Sequence, residues 1–294
     1  MTTNIHKTVG LLAIACALAL TPDSAKAAIV YSDGDLILGF RATGGQGAST
    51  DYLIDIGSAA TFLASIANNR VNLSLGPIAT DLIALYGINW SSRVDVLWSL
   101  SGVQKIAGNT FGNNTMFATR SDSVDAPAGP NTNTTTPWTR PSSFGAGTPA
   151  GKMQSMGQKY GVGTTGNVNG TDQMESASVS GALIQPTSQS NSYLSFQPGG
   201  VNTTGAAAFS YFVDANGIEG NFGSSSALVL DLYRLDTGSG PATFVGNLAI
   251  NSAGQVTATG AGFVVPEPSA AVSLAFGAGV LGAVRRRRSS AQAS

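Results

Sequence analysis

The chain has 294 residues, a formal net charge of −1, one histidine and one cysteine. Both of these residues, His6 and Cys16, lie close to the N-terminus, so the rest of the chain has neither. This composition excludes Ser-His-Asp triads, cysteine nucleophiles, zinc or haem ligation and disulfide bonds beyond residue 27. The absence of a basic excess also argues against a nucleic-acid-binding surface.

The first 27 residues have the three parts of a secretion signal peptide. A short polar start with Lys7 is followed by an apolar run over 9–20 and then by Ala25-Lys26-Ala27. Small residues at the first and third positions of that triplet fit a signal peptidase site, which predicts cleavage between Ala27 and Ala28. The apolar run is shorter than the ~20 residues of a membrane-spanning helix, and a buried core helix is the alternative interpretation.

Residues 28–120 have the pattern of a β-rich first part of the body. Alternating or continuous apolar runs predict strands over 29–31, 36–41, 52–56, 93–100 and 116–120. Helical spacing predicts two short helices, over 58–67 with its first residue as the cap and over 77–86. Phe40, Trp90 and Trp98 are interpreted as core residues, and stacking against a sugar is the alternative.

Residues 121–170 are dense in Pro, Thr, Asn, Gly and Ser. Such a composition buries too little apolar surface to offset the entropy of ordering the chain, so a long polar loop or linker is predicted. The glycines at 161, 163 and 166 match G-x-G-x-x-G, but a dinucleotide site needs a strand before this motif and a helix after it. Neither pattern is present, and no cofactor is predicted.

Residues 171–265 return to a β pattern, with strands predicted over 193–196, 208–213, 227–235, 243–250 and 255–260. Short strands separated by turn signals are typical of an antiparallel sandwich. The predicted fold is therefore mainly β: an antiparallel β-sandwich-like body with one or two short helices and a long polar insertion. A single C-terminal transmembrane helix completes it.

Oxygen-bearing side chains alternate with other residues in the segment 214–219. Carboxylate and amide oxygens are the ligands that calcium prefers, which makes Asp214, Asn216 and Glu219 a weak calcium candidate. The segment lacks the full twelve-residue pattern of a calcium loop and its terminal glutamate. A β-turn is the favoured interpretation, and no metal is predicted.

Paired carboxylates could still form a glycoside hydrolase, because that chemistry needs no histidine. Asp214, Glu219 and Asp231 are the candidates. Nothing in the sequence brings two of them together across a cleft, so no catalytic residue is predicted.

The C-terminal end has three features in a fixed order. Pro266-Glu267-Pro268 precedes an apolar run over 270–284, and four arginines follow it: Arg285, Arg286, Arg287 and Arg288. As a helix, the run would cover about 22 Å at 1.5 Å per residue. That length is short of the ~30 Å hydrocarbon core, and local thinning of the bilayer absorbs such a mismatch. The arginines predict that this end stays cytoplasmic while the body lies outside.

This order of features over 264–288 resembles the PEP-CTERM sorting signal, a segment that is also called an ice-binding protein C-terminal domain. The resemblance implies processing by an exosortase-type enzyme at or near Pro266, Glu267 and Pro268, and an association with exopolysaccharide and biofilm matrix. It does not imply that the protein binds ice. A plain C-terminal membrane anchor is the alternative.

Four stretches of the first part of the body, GDLILGF, YLIDIGS, RVDVLW and FATR, also resemble N-terminal regions of other PEP-CTERM proteins. This second resemblance implies a shared fold and no catalytic activity.

Removing the six basic and two acidic residues of both ends leaves nine basic and fourteen acidic residues, a formal charge of −5. We predict an exported protein of the cell envelope, anchored in the membrane before processing and then at the surface or extracellular. Its predicted role is structural and non-enzymatic, with an exosortase, the membrane and exopolysaccharide as partners and no nucleic acid. A carbohydrate-binding or adhesive module is the first alternative, and a carboxylate-based glycoside hydrolase is the second.

Overall fold

A computed structural model describes residues 31–106, 110–121, 174–179, 181–188, 192–196, 219–223, 229–236 and 242–263. Within them lie eleven strands: β1 Asp35–Ala42, β2 Thr50–Ser58, β3 Arg70–Asn72, β4 Val96–Gln104, β5 Thr115–Ser121, β6 Met174–Glu175, β7 Ala182–Pro186, β8 Gly220–Asn221, β9 Val229–Leu235, β10 Thr243–Ile250 and β11 Val256–Gly260. The helical elements of the same residues are α1 Ala59–Ile66, α2 Ile78–Tyr86, α3 Tyr193–Phe196 and a 3₁₀ turn at Trp90–Ser92.

The described strands form one antiparallel sheet in the order β3-β11-β10-β9-β5-β4-β1-β2-β7-β6, and β8 pairs with β4 beside this path. The prediction of a mainly β, antiparallel body is confirmed. The sheet curls, so that α2, which follows β3 at one end, reaches the segment after β6 at the other end. There Asp81 of α2 accepts a 2.5 Å hydrogen bond from the Ser176 hydroxyl.

The two faces of the sheet differ in chemistry. Alternation along β1 sends Leu36, Leu38 and Phe40 to one face, which α1 and α2 cover; we call it the apolar face. Arg41 of β1 and Asp51 of β2 are buried on the opposite side, which we call the polar face. A second, smaller apolar cluster lies on the same side and includes Ile37 of the central strand β1.

Stacked aromatic rings fill the apolar face. Phe40 lies parallel to Trp98 and to Phe222, with ring centroids 6.4 Å apart in both pairs, and Trp90 meets Phe222 edge-on at 5.0 Å. Each of the four side chains is at most 3% exposed. The interpretation of Phe40, Trp90 and Trp98 as core residues is confirmed, and none of the three is open to a sugar.

Most predicted elements of the described residues are present, with shifted ends. Predicted strands overlap β1, β2, β4, β5, β9, β10 and β11, and the two predicted helices correspond to α1 and α2. Ser58 occupies the N-cap position of α1, but its side chain makes no capping hydrogen bond, contrary to expectation. Ile29 and Val30 of the first predicted strand lie outside the described residues, as does the predicted strand over 208–213.

One strand prediction is wrong: residues 193–196 form the short helix α3. Two backbone N–H groups at its start donate to side chains of β7 and β2. Tyr193 donates to Gln185 Oε1 at 3.1 Å, and Leu194 donates to Asp51 Oδ2 at 2.8 Å. Such caps satisfy the free donors of a helix start, so tertiary contacts favour a helical turn over the β propensity of the local sequence.

Within the described ranges, no helix is long and apolar enough to cross a membrane. The predicted span over 270–284 lies outside those ranges, as do the predicted signal peptide and nearly all of the predicted polar insertion over 121–170.

Candidate functional site: a buried polar cluster

Five side chains form a polar cluster on the polar face: Arg41, Asp51, Ser99, Tyr193 and Glu219. The sheet register sets their positions, because Arg41 of β1 pairs with Asp51 of β2 and Ser99 of β4 pairs with Gly39 of β1. Tyr193 comes from α3, and Glu219 immediately precedes β8. The cluster therefore joins three central strands to two segments from the second half of the chain.

Arg41 and Glu219 form a buried ion pair. Arg41 Nε lies 2.8 Å from Oε1 and 3.0 Å from Oε2 of Glu219, and Arg41 Nη2 lies 2.5 Å from Oε2. The two side chains are 8% and 6% exposed. Charge-assisted hydrogen bonds of this kind are stronger than neutral ones and restrict geometry. The pair therefore fixes the segment before β8 against the centre of the sheet.

Tyr193 lies over the middle of β1. Its hydroxyl is 2.5 Å from the Ser99 hydroxyl, and both residues are fully buried. A Cβ added at Gly39 would overlap the Tyr193 ring, so the glycine provides the space that the ring occupies. A glycine inside an apolar strand is consistent with such a close approach.

Asp51 is the titratable carboxyl of the cluster. It is fully buried, its Oδ2 accepts the Leu194 N–H, and its Oδ1 accepts no hydrogen bond within the described residues. Burial raises the pKa of Asp51 to about 7, and the negative charge of Glu219 adds to this effect. The Leu194 hydrogen bond and the positive charge of Arg41 oppose the rise in pKa without cancelling it.

A carboxyl that titrates near neutrality is a common feature of active sites. A general acid or base must, however, come within about 2.6–3.2 Å of the group that it serves. Asp51, Ser99 and Tyr193 are inaccessible to solvent, and the Arg41–Glu219 pair is nearly so. The polar cluster contains groups suited to acid–base chemistry. Its burial, however, is that of an internal connection, by which we mean a set of contacts that hold parts of one chain together.

A second buried group joins the two ends of the sheet on the apolar side. Asp81 Oδ2 accepts hydrogen bonds from the Tyr52 hydroxyl at 2.6 Å and from the Ser176 hydroxyl at 2.5 Å. The Ser176 oxygen in turn accepts the N–H groups of Ser178 and Val179, both at 3.0 Å. Ser176 is fully buried, so this arrangement shapes the turn between β6 and β7 and attaches it to α2.

Five further carboxylates of the described body are used in the same way, as acceptors for the chain's own donors. The further examples are Asp33 with Lys105 and Ile106, Asp35 with Ser32, Asp55 with Gly57, Asp95 with Arg93, and Asp236 with Arg234.

Only some of the residues predicted as calcium-binding or catalytic candidates lie within the described ranges. Glu219 lies in the polar cluster with both of its oxygens bonded to Arg41, while Asp214 and Asn216 lie outside the described residues. Asp231 is fully buried on β9, where Arg120 and Asn247 are its register partners. The described part of the chain holds no group of three or more His, Cys, Asp or Glu side chains that could bind a metal ion.

The predicted processing residues lie outside the described ranges at both ends: Ala27, Ala28, Pro266, Glu267, Pro268 and Arg285 to Arg288. Their roles stay predictions.

Sequence reasoning missed the polar cluster, although one signal for it was present. Arg41 ends an apolar strand and Asp51 precedes another, with a Gly-rich turn between them. Opposite charges that flank a hairpin in this way are register partners across its two strands. The contributions of Tyr193 and Glu219, 152 and 178 residues from Arg41, follow from no local pattern.

No protein-family model, no curated protein and no solved structure matches this chain.

Proposed function

We propose that this is an exported surface or extracellular-matrix protein with a structural, non-enzymatic body. The non-enzymatic part rests on one observation: the carboxylates of the polar cluster accept hydrogen bonds from donors of the same chain. Glu219 and Asp51, the two acids of the polar cluster, both have buried side chains and are bonded to other parts of the chain. In this arrangement neither offers a free carboxylate to a substrate.

The sorting part of the proposal rests on the sequence of the two ends. A signal peptide ending at Ala27 directs export, and the C-terminal segment holds the protein in the membrane until an exosortase-type enzyme acts at Pro266-Glu267-Pro268. The mature body then lies at the surface or in the matrix, where exopolysaccharide is the proposed partner. Four cytoplasmic arginines fix the orientation before processing.

The body is further proposed to be sandwich-like. One apolar cluster includes Tyr52 and Ile54 near one end of the sheet together with Leu248 and Val256 near the other. A curled sheet with opposite ends that share one core has the layered packing of a sandwich.

The carbohydrate-binding alternative has less support than the structural role. Stacking against sugars needs exposed aromatic rings, whereas the large hydrophobic side chains that are exposed in the described residues are all aliphatic: Ile83, Ile88, Val94 and Ile106. A binding module remains an outcome of the tests below.

Mass spectrometry of the exported protein tests the sorting proposal. In cells that contain an exosortase, we expect a mature N-terminus at Ala28 and loss of the four arginines. Replacing Pro266, Glu267 and Pro268 by alanine should leave the C-terminus intact and the protein associated with the membrane, as should deletion of the exosortase. An intact C-terminus in exosortase-containing cells would refute this sorting route.

Assays on a panel of polysaccharides test the non-enzymatic role. We expect no release of reducing sugar, with or without Glu219→Gln or Asp231→Asn. Hydrolysis that either variant abolishes would select the glycosidase. Saturable binding without hydrolysis would select the carbohydrate-binding module.

A further inference from the structure

The two end strands of the sheet differ in what they offer to another strand. At one end, β6 has two residues and pairs with Leu183 and Ile184 of β7, while the neighbouring Pro186 of β7 has no N–H to donate. At the other end, β3 pairs with β11 on one side and with no other described strand on its second side. Within the described residues, β3 is therefore the edge that can accept a further strand.

The hydrogen bonds of β3 define its open side. Leu73 donates its N–H to Val256, and Asn69 accepts the N–H of Gly260, at 2.9 and 3.1 Å. Residues of an antiparallel strand alternate between bonding inward and bonding outward. The backbone N–H and C=O groups of Arg70 and Asn72 consequently point away from the sheet, and both residues are solvent-exposed.

The side chains of the same segment suit a partner with the same sequence. Val71 and Leu73 are half-buried against the apolar core, so each still presents apolar surface at the edge. Arg70 is the only charged residue of β3. If two copies of 69–73 pair antiparallel about Val71, Arg70 lies opposite Asn72 of the second copy, and no like charges face each other.

We propose that β3 pairs antiparallel with β3 of a second copy of this chain, with Val71 on the two-fold axis, to form one continuous sheet across a dimer. Val71 then faces Val71 of the second copy as a pair that is not hydrogen-bonded, the type in which side chains approach most closely. Arg70 and Asn72 exchange the backbone hydrogen bonds. The contact is isologous, because β3 of each copy pairs with β3 of the other, and it therefore closes at a dimer. The edge at the opposite end of the sheet, β6, differs from β3, so the pairing does not continue into a fibre. This inference does not depend on the proposed sorting.

Cysteine cross-linking of the exported chain tests both the pairing and its register. Facing residues of a non-hydrogen-bonded pair have Cα atoms about 4.5 Å apart, within the ~4.4–6.8 Å range of disulfides. Val71→Cys should form a covalent dimer under mild oxidation. Asn72→Cys, one residue away and more exposed, should stay largely monomeric, because its counterpart is displaced along the strand. Every variant also carries Cys16→Ser, so the result does not depend on removal of the signal peptide, and the chain with that change alone is the blank.

Sedimentation velocity gives an independent readout without cysteine. Asn72→Pro removes an outward N–H at an edge position that tolerates proline, so it should convert dimer to monomer while far-UV circular dichroism stays unchanged. Ser252→Pro is the matched control. It places proline at the second position of the Asn251–Gly254 turn, where proline is favoured, and it should leave the dimer intact.

Four outcomes would overturn the proposal. The first is a parent chain that sediments as a monomer at every concentration. The second is equal cross-linking of Val71→Cys and Asn72→Cys, which indicates random collision. The third is a dimer that persists in Asn72→Pro. A mixed disulfide between Val71→Cys and another protein would assign the edge to that protein, and would also overturn pairing with a second copy.

Discussion

The two faces of the sheet are held by different forces. On the apolar face, Phe40, Trp98 and Phe222 stack with almost no exposure, and the contact is dispersion and apolar burial. On the polar face, an arginine, two carboxylates and two hydroxyls make directed bonds beside the smaller apolar cluster, and Arg41 and Glu219 form the strongest pair. The same strands, β1 and β4, carry both arrangements on alternate residues.

This difference suggests a division of roles. Apolar burial supplies most of the stabilising free energy and depends little on geometry at any one contact. A buried ion pair adds little net stability, because desolvation offsets its attraction, but a missing partner is costly. We therefore assign stability to the apolar face. The polar cluster selects which late segments of the chain, those at Tyr193 and Glu219, dock on the sheet.

The largest expected effect is on the apolar face. Trp98→Ala should lower the free energy of unfolding by about 3–5 kcal/mol in urea titrations, because it leaves a cavity among stacked rings. The loss should be the same at pH 5 and pH 8, since no titratable group is involved. Ile88→Ala, at a side chain that is 72% exposed, is the control and should change stability by less than about 0.5 kcal/mol. A loss below about 1 kcal/mol for Trp98→Ala would contradict the assignment of stability to the apolar face.

The polar face should instead respond to pH through Asp51. The pKa of this carboxyl is about 7 in the folded protein and near 4 when unfolded, so between these values the folded state retains a proton that the unfolded state releases. Its contribution to stability is thus greatest at or below about pH 4, falls as the pH rises to about 7, and is level above that. The two pKa values differ by about three units, and at roughly 1.4 kcal/mol per unit the change in stability is on the order of 4 kcal/mol.

Asp51→Asn should remove this fall in stability with rising pH, so that the variant gains stability relative to the parent as the pH rises from 4 to 8. The matched control is Asp55→Asn. Burial raises the pKa of Asp55 to about 6, so its effect has the same sign but ends at a lower pH. Parallel stability–pH curves for Asp51→Asn and the parent would show that Asp51 is not buried as described.

A smaller effect is expected at the cluster's neutral contact. Tyr193→Phe removes the hydrogen bond to Ser99 and leaves the buried Ser99 hydroxyl without that partner, which should cost about 1–2 kcal/mol. Tyr31→Phe is the control, because the Tyr31 hydroxyl meets the Val103 carbonyl only at 3.5 Å and contributes little. Equal losses in urea unfolding of the two variants would contradict the role given to the Ser99–Tyr193 contact.

The apolar face could largely be predicted from the sequence, and the polar face could not. Alternation within a few residues identifies β4 with the core position of Trp98, and also β9, because burial on one face of a strand is a local property. The helical state of 193–196 depends on acceptors outside the segment: Gln185 of β7 and Asp51, which lies 143 residues from Leu194. Likewise, nothing near Glu219 indicates that Arg41 is its partner, and an alternating oxygen pattern suggested calcium there instead.

A double-mutant cycle at Arg41 and Glu219 tests most directly whether the polar cluster is an internal connection rather than a site. Urea unfolding at pH 7 is measured for Arg41→Met, Glu219→Leu and the double variant. Each single change leaves one buried charge unpaired and should destabilise by about 3 kcal/mol or more, while the double variant should lose less than either single one. If both single variants are as stable as the parent, the pair is not needed for folding, and its assignment as an internal connection is wrong.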